Sequence, residues 1–392
     1  MIFFSQYKRF KKVYPKDIQI ATLIFAIQMA RKTILNTWSG ILMIPCIFLS
    51  LYILYKNKSI ISKAVKGTQA MIWYAVFAAL SFLWAIEKDP TSIFLKDIEI
   101  VCSYMAIAVV IYKIKEVAIA YNYIIILCSL TCALGIIRGF IVGTGLHTNS
   151  YSVAAIVGTI LSYCALKDFG AKSALFYFFF NLLALLVGTS SASYISFIIA
   201  LSVLFTSSYK GIRLGKSFSV LIVCGLIYYF VGDYIKELVF FNKSEEAIET
   251  GTGREQIWSV FIEAWTKQPW FGYGFFVGER SFSFFSGQET SYMSAHNGYL
   301  SLLVNTGVLG LLLYSPLFIK SLWRGFVNSN KGLYGRLSSA MFACLIGVLV
   351  NNYAYPILGS DWNYAFPPII ALIVLLNTFD RKKQSQIIKT VL

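Results

Sequence analysis

The chain has 392 residues, of which 57% are hydrophobic and only 13% charged. A soluble protein carries about a quarter charged residues, so a water-facing globule is excluded, and the helix-length apolar runs exclude a β-barrel, whose strands need only about 9–11 residues. The net charge of +16 would suit nucleic acid, but its distribution follows membrane topology, so a lipid bilayer is the expected partner and nucleic acid is not.

The chain opens on Lys8-Arg9-Phe10-Lys11-Lys12 and runs into an apolar span with no small-residue cleavage site, so no cleavable signal peptide is expected. Twelve spans are predicted, at 18–35, 38–55, 69–86, 93–112, 118–139, 150–166, 173–188, 191–206, 217–234, 297–319, 337–355 and 362–379. Each approaches the ~20 residues that a bilayer core requires. The first is the weakest, because Arg31 and Lys32 interrupt it. The seven cysteines all lie inside apolar runs at no metal-type spacing, and read as small core hydrophobes.

The basic residues test this order. With the N-terminus cytoplasmic, alternate connections collect 24 of the 34 Lys and Arg residues. The positive-inside rule then places both termini in the cytoplasm and the long connection, 235–296, on the outer face. The expected fold is an all-α polytopic membrane protein: nine helices in 1–234, a structured outer loop over 235–296, and three helices with a cytoplasmic tail over 297–392.

The stretch from Gly251 to Gly310 is the polar island of the chain. Thr252 to Glu255 reads as a Thr-x-x-Glu capping box. Ile257, Trp258, Phe261, Ile262 and Trp265 recur at helical spacing, so an amphipathic surface helix is predicted, ended by Pro269. Gly272-Tyr273-Gly274 reads as a turn, and the chain re-enters the apolar phase at His296.

Arg254 falls in the first turn of that helix, where free N–H groups and the helix dipole favour an anion and a guanidinium adds a bidentate fork for phosphate. An interfacial arginine touching lipid headgroups has the same signature. His296, followed by Asn297, is a side chain that can act as a base near neutral pH, or cap a helix. His147 lies in the short loop Gly143 to Asn149 and reads first as a loop histidine. Arg31, Lys32, Lys96 and Arg138 are cations near outer helix ends. Some can snorkel to the interface, yet several converging on one cavity would make a pyrophosphate clamp. Glu87-Lys88-Asp89 is an acid-x-acid pattern of the kind that holds a divalent cation, but a solvated loop is the plainer account, and neither metal nor cofactor is expected.

Taken together, the motifs resemble the O-antigen ligase and O-antigen polymerase superfamily of bacterial envelope glycan synthesis. The resemblance rests on Gly253-Arg254 with Trp258, on Pro269 and Gly272-Tyr273-Gly274, on His296-Asn297-x-x-Leu300, and on Gly307-x-x-Gly310. Upstream, Ser81-Phe82-Leu83-Trp84-Ala85 with Asp89-Pro90 is similar to the family's third-span ending, and Asn149 fits before the sixth span. It implies a GT-C-like membrane fold in the bacterial inner membrane, with a periplasmic site. It also implies a glycan donor on undecaprenyl pyrophosphate, a sugar hydroxyl as acceptor (a growing glycan or lipid A–core), and a chain-length regulator as a further partner. Arg254 would be the loop arginine and His296 the base, with Arg138, Lys96 and Arg31 as further pyrophosphate ligands and Asn297 and His147 in support. One departure stands out: relatives carry Thr-x-Ser-Arg between the seventh and eighth spans, and here the turn reads Thr189-Ser190-Ser191-Ala192, without the arginine. A lipid-linked glycan flippase or transporter is the competing class, against which stand the absence of an internal repeat and the gathering of polar residues at one face.

Overall fold

The computed structural model describes residues 16–33, 39–87, 90–114, 116–142, 149–188, 190–206, a few positions between 215 and 222, and residues 254–287, 294–329, 333–357 and 366–390. Every regular element among them is helical. In an apolar surrounding each backbone N–H and C=O must be satisfied internally, and a helix does this within one segment. The α-helices are α1 (Lys16–Thr33), α2 (Ser39–Lys56), α3 (Ile61–Val65), α4 (Ala70–Leu80), α5 (Pro90–Lys113), α6 (Val117–Val142) and α7 (Asn149–Phe169). They continue with α8 (Lys172–Val187), α9 (Ser191–Thr206), α10 (Arg254–Lys267), α11 (Phe282–Ser286), α12 (Gly298–Asn328), α13 (Leu333–Asn351) and α14 (Phe366–Thr390).

Helices occupy the predicted apolar segments in order, except the ninth, 217–234, most of which lies outside the described residues. Spanning is a stricter matter than helicity. Among the described residues, Val117–Gly139 and Gly298–Asn328 are long and apolar enough to cross a membrane. The pair Gly40–Lys56 and Lys58–Val65, bent by 73°, makes a third if it is one span. Helix α5 has 24 residues but carries Lys96, Asp97 and Glu99 in its first turns. The shorter apolar helices run to 10–17 residues; at 1.5 Å per residue these reach roughly 15–25 Å, against a bilayer core of about 30 Å.

The core sits where α5, α6, α7, α13 and α14 meet, with residues 106–111, 153–157, 340–345 and 369–376 buried. Buried polar side chains pair across helices. Gln28 donates to Ser103 Oγ (2.8 Å), Asn181 to Ser129 Oγ (2.8 Å) and Asn377 to Ser321 Oγ (2.7 Å). Such bonds hold helices together where no hydrophobic effect drives them. Ile41, Phe48, Tyr55, Trp73, Phe176 and Phe179 face outward, an apolar exterior that soluble monomers avoid. With the apolar helices, it marks a membrane protein. The six described cysteines are buried and unbridged.

One local feature positions everything that follows. Helix α12 is interrupted at Gly307, whose φ of 65° and ψ of −169° are not helical. The N–H groups of Val308 and Leu309, which a continuous helix would send to Val304 and Asn305, donate instead to the carbonyls of Pro269 (2.8 Å) and Trp270 (3.1 Å). The released carbonyls of Val304 and Asn305 accept from Tyr273 N (2.8 Å) and Gly274 N (2.9 Å). The stretch 269–274 thus replaces these missing helical bonds one for one, as buried backbone groups require. Glycine is required on both sides: a Cβ on Gly272 would sit 2.6 Å from Val304 O, and one on Gly307 would strike Trp270 O.

The end of α4 grips the same stretch from the opposite side. Ser81 Oγ accepts from Phe275 N (2.8 Å), Ile86 N donates to Tyr273 O (2.9 Å), and Trp84 Nε1 donates to Phe271 O (3.1 Å). Gly274 lies on Ala85, whose Cβ would be 2.6 Å from a Cβ added there. The two sequence motifs, 81–85 and 272–274, are therefore one joint.

Gly307→Ala should cost at least about 3 kcal/mol, combining a glycine-only backbone conformation with a backbone collision. Gly287 also has a positive φ (64°), but nothing lies within 4 Å of an added Cβ, so Gly287→Ala should cost only about 1 kcal/mol. Thermal unfolding of the two variants in detergent measures the contrast; equal shifts would mean that the helix break carries no such constraint.

Candidate active site

His296 stands immediately before α12, where Asn297 is the N-cap and its side chain accepts from Tyr299 N (3.0 Å) and Leu300 N (3.2 Å). Asn297 thus satisfies two of the free N–H groups at the start of α12. His296 is half-buried, and its backbone is left-handed, with φ at 49°. A non-glycine residue there costs on the order of 1–2 kcal/mol, so the surroundings must hold it. His296 N–H donates to Ser294 Oγ (3.3 Å). Ser294 Oγ donates to Glu279 Oε1 (2.7 Å), which also accepts from Ala295 N (2.8 Å). Gly298 N donates to Asn352 O (2.8 Å), and a Cβ on Gly298 would collide with the Asn352 side chain.

Arg254 opens α10, as expected of a first-turn residue; Thr252 of the expected capping box lies outside the described residues. Burial lowers the Arg254 guanidinium pKa, although an arginine keeps its charge at neutral pH. One turn on, Trp258 Nε1 donates to Ala295 O (2.7 Å), and its ring meets Tyr353 edge-on at 5.2 Å. Residues four apart share a helix face, so Trp258 brings the face that carries Arg254 to the segment that carries His296. The apolar stripe of α10 holds in part: Phe261 and Ala264 are buried against Tyr273, Phe282, Leu300 and Val304, with Ile257, Trp258 and Trp265 packed beside them, whereas Ile262, which the spacing placed on the stripe, is exposed.

Lys96 meets a different part of the cap. Its Nζ lies 5.3 Å from the centre of the Phe276 ring, and the guanidinium carbon of Arg280 lies 3.8 Å from the same centre. Two cations share one ring by its π-face attraction. Phe276 has a φ of 68°, an outlier for a bulky residue, fixed by the bonds that its neighbours Phe275 and Gly274 make to α4 and α12.

Arg138 is half-buried in the last turns of α6. One turn before it, Gly135 admits the Tyr151 ring of α7, 2.6 Å from where a Cβ would be. Arg31 lies in the last turn of α1; its side chain is outside the described residues, as is His147. The turn that lacks the expected arginine at Ala192 is a packing joint. Ser190 Oγ caps Ser193 N (3.2 Å), and Ser193 Oγ accepts from Asn351 (3.0 Å). Among the described residues no group of three His, Cys, Asp or Glu side chains could hold a metal ion; Glu87 accepts from Ser281 Oγ at 3.4 Å, and Asp89 lies outside the described residues.

Glu279 and Arg280 did not stand out in the sequence. The signal was a charged pair within an otherwise aromatic run, but its meaning depends on partners 15 and 26 residues away.

These features define a class: an all-helical membrane protein whose helix ends converge on a folded cap bearing a histidine, a buried carboxylate and several cations. Residues 176–315, from α8 into α12, match the family model described as O-antigen ligase. The resemblance read from the motifs is thereby shown for this stretch, which is similar to a family whose members are glycosyltransferase-like. No curated protein matches the chain.

Trp258→Phe keeps the ring and removes the donor to Ala295 O. It should cost about 1 kcal/mol of stability and loosen the link between Arg254 and His296. Thermal unfolding in detergent, with turnover measured alongside, checks both; an unaltered protein would remove Trp258 from the account of the site.

Proposed function

We propose that the protein is a membrane glycosyltransferase that moves a glycan from undecaprenyl pyrophosphate to a sugar hydroxyl. The observation that carries this reading is the placing of His296 and the Arg254-bearing face of α10 together, through the Trp258–Ala295 bond, within a stretch that matches the O-antigen ligase family. The histidine accepts the proton of the acceptor hydroxyl. The oxygen attacks the anomeric carbon, the bond to the pyrophosphate oxygen breaks, and the configuration inverts. Charge on the departing pyrophosphate meets Arg254, with Lys96, Arg138 and Arg31 as further cations; fixed cations aimed at developing charge give the largest catalytic effects. His147 and Asn297 support the site. No nucleotide is needed, because the lipid donor carries its own leaving group, and in this reading the protein's own cations meet it without a metal.

In this reading the chain has twelve spans in the bacterial inner membrane, both termini in the cytoplasm, and the cap in the periplasm. The count of basic residues supports that orientation. Repeat-unit polymerisation is the leading activity, on the ground of the arginine missing at Ala192, with a chain-length regulator as a further partner. Transfer to lipid A–core is the second reading, favoured by the description of the matched family model.

His296→Ala should abolish product, by at least about 10²-fold in kcat, while retaining the lipid-linked donor. Full transport of a lipid-linked glycan by that variant, with no transfer by the parent, would instead establish a flippase. Offering lipid-linked repeat units and lipid A–core as rival acceptors separates polymerase from ligase. A chelator should leave turnover unchanged; strong inhibition would bring back Glu87 and Asp89 as metal ligands.

A further inference from the structure

Glu279 is the acidic side chain folded into the cap beneath the histidine segment. It is 5% exposed, and a carboxylate so placed must be fully used to be tolerated. One oxygen, Oε1, accepts from both Ser294 Oγ (2.7 Å) and Ala295 N (2.8 Å). Its own N–H donates to Asn305 Oδ1 (2.8 Å), and the carbonyl of Asn305 is one of the two released by the break at Gly307. Gly278 makes that approach possible: a Cβ there would lie 2.9 Å from Val304 O and 3.0 Å from Asn305 Oδ1.

From these contacts we infer that Glu279 is the positioning residue of His296. It rests on the glycosyl-transfer reading, in which His296 takes the acceptor proton. The geometry runs in one direction. The broken turn of α12 fixes Asn305, Asn305 fixes Glu279, and Glu279 fixes Ser294 and Ala295. Ser294 Oγ, polarised by the carboxylate, accepts the His296 N–H (3.3 Å) and keeps that residue in its left-handed conformation. Immediately beyond, the side chain of Asn297 and the carbonyl of Asn352 hold the start of α12. The imidazole therefore projects from a turn pinned on both sides, as a base that must meet a proton at hydrogen-bond distance requires. Glu279 does not itself touch substrate. Its contribution to the turn is hydrogen-bond acceptance: a single oxygen receives both bonds.

The test uses the full chain in detergent, with an undecaprenyl-pyrophosphate-linked oligosaccharide as donor and acceptor. Glu279→Ala should lower kcat by about 10–100-fold, the scale of a small misplacement of a catalytic group, and leave KM for the donor within about twofold. Glu279→Gln, whose amide oxygen can accept both bonds, should recover most of the parent rate. Carbethoxylation of His296 by diethyl pyrocarbonate, resolved from His147 by mass spectrometry, should change rate in Glu279→Ala and return to the parent rate in Glu279→Gln. Should Glu279→Ala fail to fold, Ser294→Ala removes only the hydroxyl relay and should lower kcat several-fold with unchanged KM. Full kcat in the variant that folds overturns the inference; so does a raised KM with kcat intact, or a glutamine variant as slow as the alanine. His296→Ala is the control: if it retains turnover, the glycosyl-transfer reading fails, whereas loss there with full activity in Glu279→Ala and Ser294→Ala overturns the positioning role alone.

Discussion

The exchange of backbone bonds across Gly307 is the constraint on which the rest depends. A helix surrounded by apolar side chains cannot open a turn unless something returns the lost bonds, since each unmade buried bond costs roughly 1–3 kcal/mol. Here the stretch 269–274 supplies two donors and two acceptors. The cap is therefore part of the hydrogen-bond ladder of α12 and cannot slide over it as a loosely docked loop would. Side chains carried on the cap inherit the precision of the helix. Arg280 over Phe276, and Glu279 beneath Ala295, stand where they do because Gly272, Gly274 and Gly278 approach backbone or Ala85 too closely for any other residue.

That arrangement divides the labour of the chain by chemistry. Deep in the bundle, polar side chains are used in pairs that join helices, such as Asn181 with Ser129. At the capped end they are used to orient backbone. Asn297 caps α12, Asn352 receives Gly298, and Glu279 receives Ala295. The charged groups lie close to these orienting contacts, with Arg254 one turn from Trp258 and Arg280 next to Glu279. Strain is stored in the same place: the two described non-glycine residues with positive φ are Phe276 and His296. Left-handed backbone at bulky residues persists only where surroundings over-determine it, and both residues have neighbours pinned by hydrogen bonds to other elements.

Much of this was legible in the sequence, because its signals are local. The helical period of α10 and the stop at Pro269 act within a few residues of themselves, and the glycines at 272, 274 and 307 show as glycines even though their partners are distant; the structure uses each. The motif at 81–85, after α4, was visible as a motif but not as a joint, since its partners are about 190 residues away in sequence (for Ser81 and Phe275, 194). Glu279 was illegible for the same reason. Nothing adjacent to it hints that its carboxylate will meet Ala295, and only the fold brings the two together. The span count is a different case: hydropathy reports that a segment is apolar, whereas crossing depends on length, and several apolar helices here are shorter than a bilayer core is thick.

The turn at Ala192, where the resemblance leads one to expect an arginine, is a packing joint instead. Gly188 lies against Ser152, Ser190 caps Ser193, and Ser193 receives Asn351, the neighbour of the residue that anchors Gly298. The turn is thus coupled by hydroxyl and amide bonds to the start of α12, and small side chains are what that coupling requires. For the proposed transfer, positive charge has to arrive from another direction. At the cap, Lys96 of α5 and Arg280 meet on one aromatic ring, that of Phe276. A ring attracts cations without neutralising them, so this contact itself takes nothing from their charge.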